Sequence, residues 1–148
     1  MRWKNQALKK EGESDYNLTA EFMMAKKTEN QESILQNPAY FGRMTDPTSS
    51  ARIKGPCGDE MEFYLVIEND IIKEVKYYSE GCIATKACGA MAAILVTGKH
   101  IEKALFISAG QILKQLEGLP EDHKHCSILA VTTLYRAVAE YLLKKISV

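Results

Sequence analysis

A chain of 148 residues holds one domain, or one domain with an arm, and is long enough to bury a core. Apolar residues make up 46% and charged residues 26%, ordinary proportions for a globular protein. Lysine plus arginine and aspartate plus glutamate each number 19, so the formal net charge is zero. That balance argues against a nucleic-acid surface or a basic membrane-binding face.

The first residues, Met1-Arg2-Trp3-Lys4, are followed by no apolar signal region, and Glu11, Glu13 and Asp15 are out of place in an organellar transit peptide. No apolar run approaches the roughly 20 residues that a membrane helix needs. The expected location is cytoplasmic. Thiols stay reduced there, so Cys57, Cys82, Cys88 and Cys126 are read as free, catalytic or metal-binding. No Cys-x-x-Cys occurs, which removes zinc-knuckle and thioredoxin motifs.

Residues 1–30 are polar and mixed in charge and read as a flexible arm, turning helical near residues 21–36. Asn37-Pro38 ends that helix, because the residue before proline is pushed out of the α region. The domain proper spans 31–148, with loop over 42–50 and a short strand over 51–54. Then comes Gly55-Pro56-Cys57-Gly58-Asp59, a Gly/Pro turn that presents a thiol and a carboxylate. Met61, Phe63, Leu65 and Ile67 alternate with more polar neighbours, the period of a half-buried strand. Asn69-Asp70 predicts a hairpin turn and residues 71–78 an antiparallel return.

After Gly81 the period changes. Residues 82–97 read as an apolar helix capped by Gly98. Gly89 inside it costs about 1 kcal/mol relative to alanine and signals a close backbone approach. Short helices follow over 101–105 and 108–117, stopped at Gly118-Leu119-Pro120. The last helix covers 126–146, with Ile128, Val131, Tyr135, Val138 and Leu142 in one core-facing stripe. The expected fold is α+β, a small three-stranded antiparallel sheet packed on one face by several helices.

Three cysteines stand at element starts: Cys57 at the head of a strand, Cys82 and Cys126 each opening a helix. A helix N-terminus favours thiolate, which is both nucleophile and metal ligand. With Asp59 and His125 they would form a sulfur-rich site of the kind that selects iron–sulfur clusters, zinc or copper(I). Cys88 lies off the face of Cys82 and is assigned to packing, and His100 and His123 to the surface. Adjacent residues on a helix diverge, so His125 and Cys126 make a poor base–nucleophile dyad. The expectation is a carrier, not an enzyme.

These residues resemble the iron–sulfur cluster assembly scaffolds of the IscU/NifU N-terminal family. The likeness runs over roughly 31–148 through Asn37-Pro38 with Gly42, Gly55-Pro56-Cys57-Gly58-Asp59, Gly81-Cys82, Gly98-Lys99, and Leu116-Glu117-Gly118-Leu119-Pro120 leading to His125-Cys126-Ser127-Ile128-Leu129-Ala130. The resemblance implies a scaffold on which a transient [2Fe–2S] cluster is built. A cysteine desulfurase would supply sulfur as persulfide, and apo iron–sulfur acceptor proteins would receive the product. Cys57, Cys82 and Cys126 would be cluster ligands and persulfide acceptors, with Asp59 and His125 as further ligands or tuners. The approach loop 119–125 and the helix start make Cys126 the expected first acceptor of sulfur. Iron is the implied metal, with zinc able to take its place, and the implied state is a monomer or weak homo-oligomer. The alternative is a zinc-binding persulfide relay that builds no cluster.

Two departures from the family pattern stand out. The stretch before Cys126 is Leu119-Pro120-Glu121-Asp122-His123-Lys124 where the family carries Leu-Pro-Pro-Val-Lys, which argues against a dedicated Hsp70-type chaperone. The segment after Cys82 adds a fourth thiol, Cys88. The short gap between Cys82 and Cys126 favours the scaffold branch over the zinc-dependent SufU branch, in stand-alone form.

Overall fold

The computed structural model describes residues 37–116 and 119–147. The expected arm and the helix near residues 21–36 lie outside them. Three strands, β1 (Ser49–Lys54), β2 (Glu60–Glu68) and β3 (Ile71–Tyr78), form one antiparallel sheet in the order β1-β2-β3. Four helices follow: α1 (Ile83–Val96), α2 (Ile101–Ala104), α3 (Ala109–Gln115) and α4 (His125–Ser147). A 3₁₀ turn, Glu121–His123, leads into α4.

The period-two reading of β2 holds. Met61, Phe63, Leu65 and Ile67 are buried, and they meet α1 and α4 in one core with Tyr77, Met91 and Leu134. The hairpin is a two-residue loop with Asn69 at φ 53° and Asp70 at φ 62°. Positive φ at both central residues gives the twist that antiparallel strands need, and Asn and Asp tolerate it best after glycine. β1 begins two residues earlier than expected. Thr48 N–H donates to the Leu65 carbonyl at 2.7 Å, and Ser49 Oγ donates to the Ala137 carbonyl of α4 at 2.9 Å. Polar loop residues become strand here because a helix supplies their partners. The free edge of β3 is covered by Tyr40–Gly42, with Tyr77 N–H on the Tyr40 carbonyl and Gly42 N–H on that of Tyr77.

Gly98 ends α1 at φ 86°, where a side chain would strain the backbone. The far end of α4 is fastened to the hairpin: Tyr141 Oη and Lys145 Nζ reach Asp70 Oδ1 at 2.6 and 2.9 Å. The stretch Glu121–Ile146 contains an 18-residue window of mean hydropathy 1.3, long and apolar enough to cross a membrane by length and composition alone. Counting only uninterrupted apolar runs misses it. Half of its most apolar window is buried within the fold, as a core helix requires.

On the sheet face away from the helices, Glu62 is nearly buried. Arg43 Nε and Nη2 donate to it at 2.9 and 3.0 Å, and Tyr64 Oη donates to Oε1. The Arg43 bonds hold its carboxyl below the usual carboxylate range, against the opposing effect of burial. A depressed carboxylate contributes stability above its unfolded value, near 4.3, and loses it as pH falls through the folded value. The stability difference between wild type and Glu62→Gln, from urea unfolding, is therefore expected to be largest at pH 6–7 and to shrink steadily below about pH 4.

Candidate metal centre

The sulfurs come from three separate places in the chain. The turn 55–59 joins β1 to β2, closed by Gly55 N–H on the Asp59 carbonyl at 2.8 Å and Gly58 N–H on the Gly55 carbonyl at 3.0 Å. Gly58 adopts φ 97°, and Cys57 projects from this turn exposed. Cys82 is the residue before α1, in extended conformation, and its side chain makes no capping bond, so its sulfur is left for other work. Ser79 fixes the approach to it, donating to the Glu60 carbonyl at 2.6 Å while accepting from Gly81 N–H at 3.0 Å. Cys126 lies inside the first turn of α4 and is 1% exposed.

Burial pushes the Cys126 thiol up. A hydrogen bond from Thr85 pulls the other way, and the Cys82 and Cys57 thiols raise it further. Burial thus works against the thiolate that a helix start favours. Its side chain is also covered in this conformation. Cys57 and Cys82 are both exposed and accessible. Cys88 is fully buried and pushed up to about 12 by burial, as a packing thiol would be.

Ligand atoms of Cys82, His123 and Cys126 all lie within 4.8 Å of one another. Metal–sulfur bonds of about 2.3 Å and metal–nitrogen bonds of about 2.0 Å require donors roughly 4 Å apart or less, so small rotamer changes close this group on an ion. Two thiols and an imidazole suit zinc or an iron–sulfur species, and are a poor set for calcium or magnesium. The donors therefore fit the cargo that the sequence suggests.

The histidine in this group is not the one singled out in the sequence. His125 is exposed, its Nε2 3.9 Å from Cys126 Sγ. His123, assigned to the surface, is half-buried and faces the sulfurs. The 3₁₀ turn makes the difference, with His123 N–H on the Pro120 carbonyl at 3.0 Å. That turn carries His123 toward the residue three places on, Cys126.

Asp59 is held at the rim. Thr85 Oγ1 donates to its Oδ2 at 2.6 Å and lies 3.3 Å from Cys126 Sγ and 3.5 Å from Cys82 Sγ. Thr85, fully buried, is the member of the site that sequence reasoning passed over. Its signal was its place three residues after Cys82 on a helix, where side chains share a face. Glycine at position 81 lets Asp59 sit this close: a Cβ there would come within 2.7 Å of the Asp59 carboxylate carbon and Oδ2.

Comparison with known proteins places these features in context. The family model described as NifU-like N terminal domain matches residues 28–148. The iron-sulfur cluster assembly scaffold protein IscU 1 of Archaeoglobus fulgidus is 36% identical over 110 residues, covering 74% of this chain and 72% of that protein. The scaffold protein IscU of Aquifex aeolicus is 34% identical over 123 residues, covering 79% and 78%. Among solved structures, one described as a putative iron-sulfur cluster assembly scaffold protein for the SUF system, from Fervidobacterium islandicum, superposes with a TM-score of 0.62 at 21% identity. It covers 80% of this chain and 94% of that one, and it speaks to the fold alone.

Proposed function

The chain belongs to the family of the NifU-like N terminal domain, and from that membership we propose that it is a scaffold on which iron–sulfur clusters are assembled and from which they are passed on. The convergence of Cys82, His123 and Cys126 on one small volume, with Cys57 and Asp59 at its edge, carries this reading. Sulfur arrives as the persulfide of a cysteine desulfurase. A thiolate of exposed Cys57 or Cys82 attacks the outer sulfur. A new S–S bond forms as the old one breaks, and the donor leaves as its own thiolate, so no outside oxidant is consumed. Iron is then held by the cysteine sulfurs, with His123 or Asp59 completing the set. A carboxylate or imidazole ligand lets go more readily than a fourth thiolate would, which suits cargo meant for apo iron–sulfur acceptor proteins. Ile83, 42% exposed beside Cys82, gives the site an apolar rim for a visiting protein. Ile128, expected in the core-facing stripe of α4, is 60% exposed two residues past Cys126 and so lies on another face of the helix.

Anaerobic reconstitution of the wild-type protein with ferrous iron and sulfide tests the proposal. A visible-range chromophore, with iron and acid-labile sulfide in equal amounts on the same sample, is the expected result. A protein that stays colourless, yet takes persulfide sulfur from a desulfurase without iron, is a relay and not a scaffold.

The two histidines separate in the same system. His123→Ala is expected to weaken zinc binding about tenfold or more, and His125→Ala by less than about threefold, in competition with a colorimetric chelator.

A further inference from the structure

The buried hydroxyl of Thr85 touches three polar groups and has one proton to give. The shortest of these contacts, at 2.6 Å, is the one in which Thr85 donates to Asp59 Oδ2. Cys126 Sγ, at 3.3 Å, is a second acceptor for that same proton, a weak one while the sulfur carries hydrogen, and Cys82 Sγ, at 3.5 Å, can donate or accept. A metal-bound cysteine sulfur carries none. Its S–H proton leaves to solvent as the sulfur–metal bond forms, with no electron transferred. Sulfur and carboxylate then both call on the one hydroxyl proton. The hydroxyl can answer by turning about its C–O bond, with no movement of α1.

We propose that Thr85 is a positioning residue that loosens the centre's grip on its cargo: its hydroxyl hydrogen-bonds Asp59 while the site is empty and turns to a cysteine sulfur when metal is bound. The inference rests on the scaffold reading and gives that reading a release device. A hydrogen bond to a bound sulfur draws electron density away from the metal. Deleting the hydroxyl removes that withdrawal and tightens the site.

Zinc release to a chelator and the absorption of the cobalt(II) form, measured on wild type, Thr85→Val and Thr85→Ser, test this. Valine keeps the shape and removes the hydroxyl. Thr85→Val is expected to release zinc about fivefold more slowly, and its sulfur-to-cobalt charge-transfer band is expected to move to lower energy. Thr85→Ser, which keeps the hydroxyl, is expected to stay within about twofold of wild type. Release at the wild-type rate, or faster as from a merely loosened fold, overturns the proposal. If the valine variant does not fold, Thr85→Ala serves under the same criteria. A wild-type protein with no sulfur-to-cobalt band overturns the metal-centre reading itself, and this proposal with it. A normal band with an unresponsive Thr85 overturns this proposal alone.

Discussion

Cys82→Ala and Cys126→Ala are each expected to lower zinc affinity by at least about a hundredfold and to abolish the reconstituted iron–sulfur chromophore. Each removes one of the two sulfurs from a three-donor group whose atoms already lie within 4.8 Å of one another. Neither His123 nor Asp59 can replace a thiolate's charge and softness. Cys57→Ala is expected to behave differently. Cys57 stands on the exposed turn outside that compact group, so its variant keeps most of its zinc affinity while losing the chromophore, which needs the third sulfur. Cys88→Ala is the control: its fully buried thiol packs the core, and both properties should survive a modest loss of stability. Chelator competition and anaerobic absorption spectra read all four. A chromophore undiminished in Cys82→Ala or Cys126→Ala would remove the foundation of the assignment.

Gly89→Val is expected to destabilise the fold by about 3 kcal/mol, and Gly89→Ala by roughly 1–2 kcal/mol. A Cβ at position 89 would stand 2.7 Å from Tyr77 Cδ2, 3.0 Å from Met61 Sδ and 3.1 Å from Met61 Cε. Tyr77 and Met61 are both completely buried, so neither has open space to retreat into. Alanine recovers about 1 kcal/mol of helix propensity, which offsets part of the clash, whereas a β-branched residue recovers less and adds bulk. Urea unfolding gives the figures directly. A Gly89→Ala variant more stable than wild type would mean that α1 can lift off the sheet at little cost. The site would then be less rigidly backed than the packing implies.

Much of this architecture is legible in the residues. The alternation through Met61 and Ile67 gives β2 its inward face, Asn69-Asp70 marks a two-residue turn, and a helical glycine at 89 foretells the contact with Tyr77. Each of these rests on local chemistry or on a period the chain repeats. The site is legible in its sulfurs and not in its finer membership. His123 and His125 differ by how a single 3₁₀ turn rotates the backbone, and no period announces that. The covered state of Cys126 depends on packing around α4, whose cost in hydration opposes the favourable helix start. Glu62 breaks the alternation because Arg43, nineteen positions away, supplies its counter-charge on the far face of the sheet.

The clamp of Tyr141 and Lys145 on Asp70 anchors the rod that carries Cys126. A 23-residue helix, roughly 34 Å long, cannot slide along its axis while its tail is moored to the hairpin. Cys126 is thus the fixed post of the centre, whereas Cys57 is borne, exposed, on a short turn that no such mooring holds to α4.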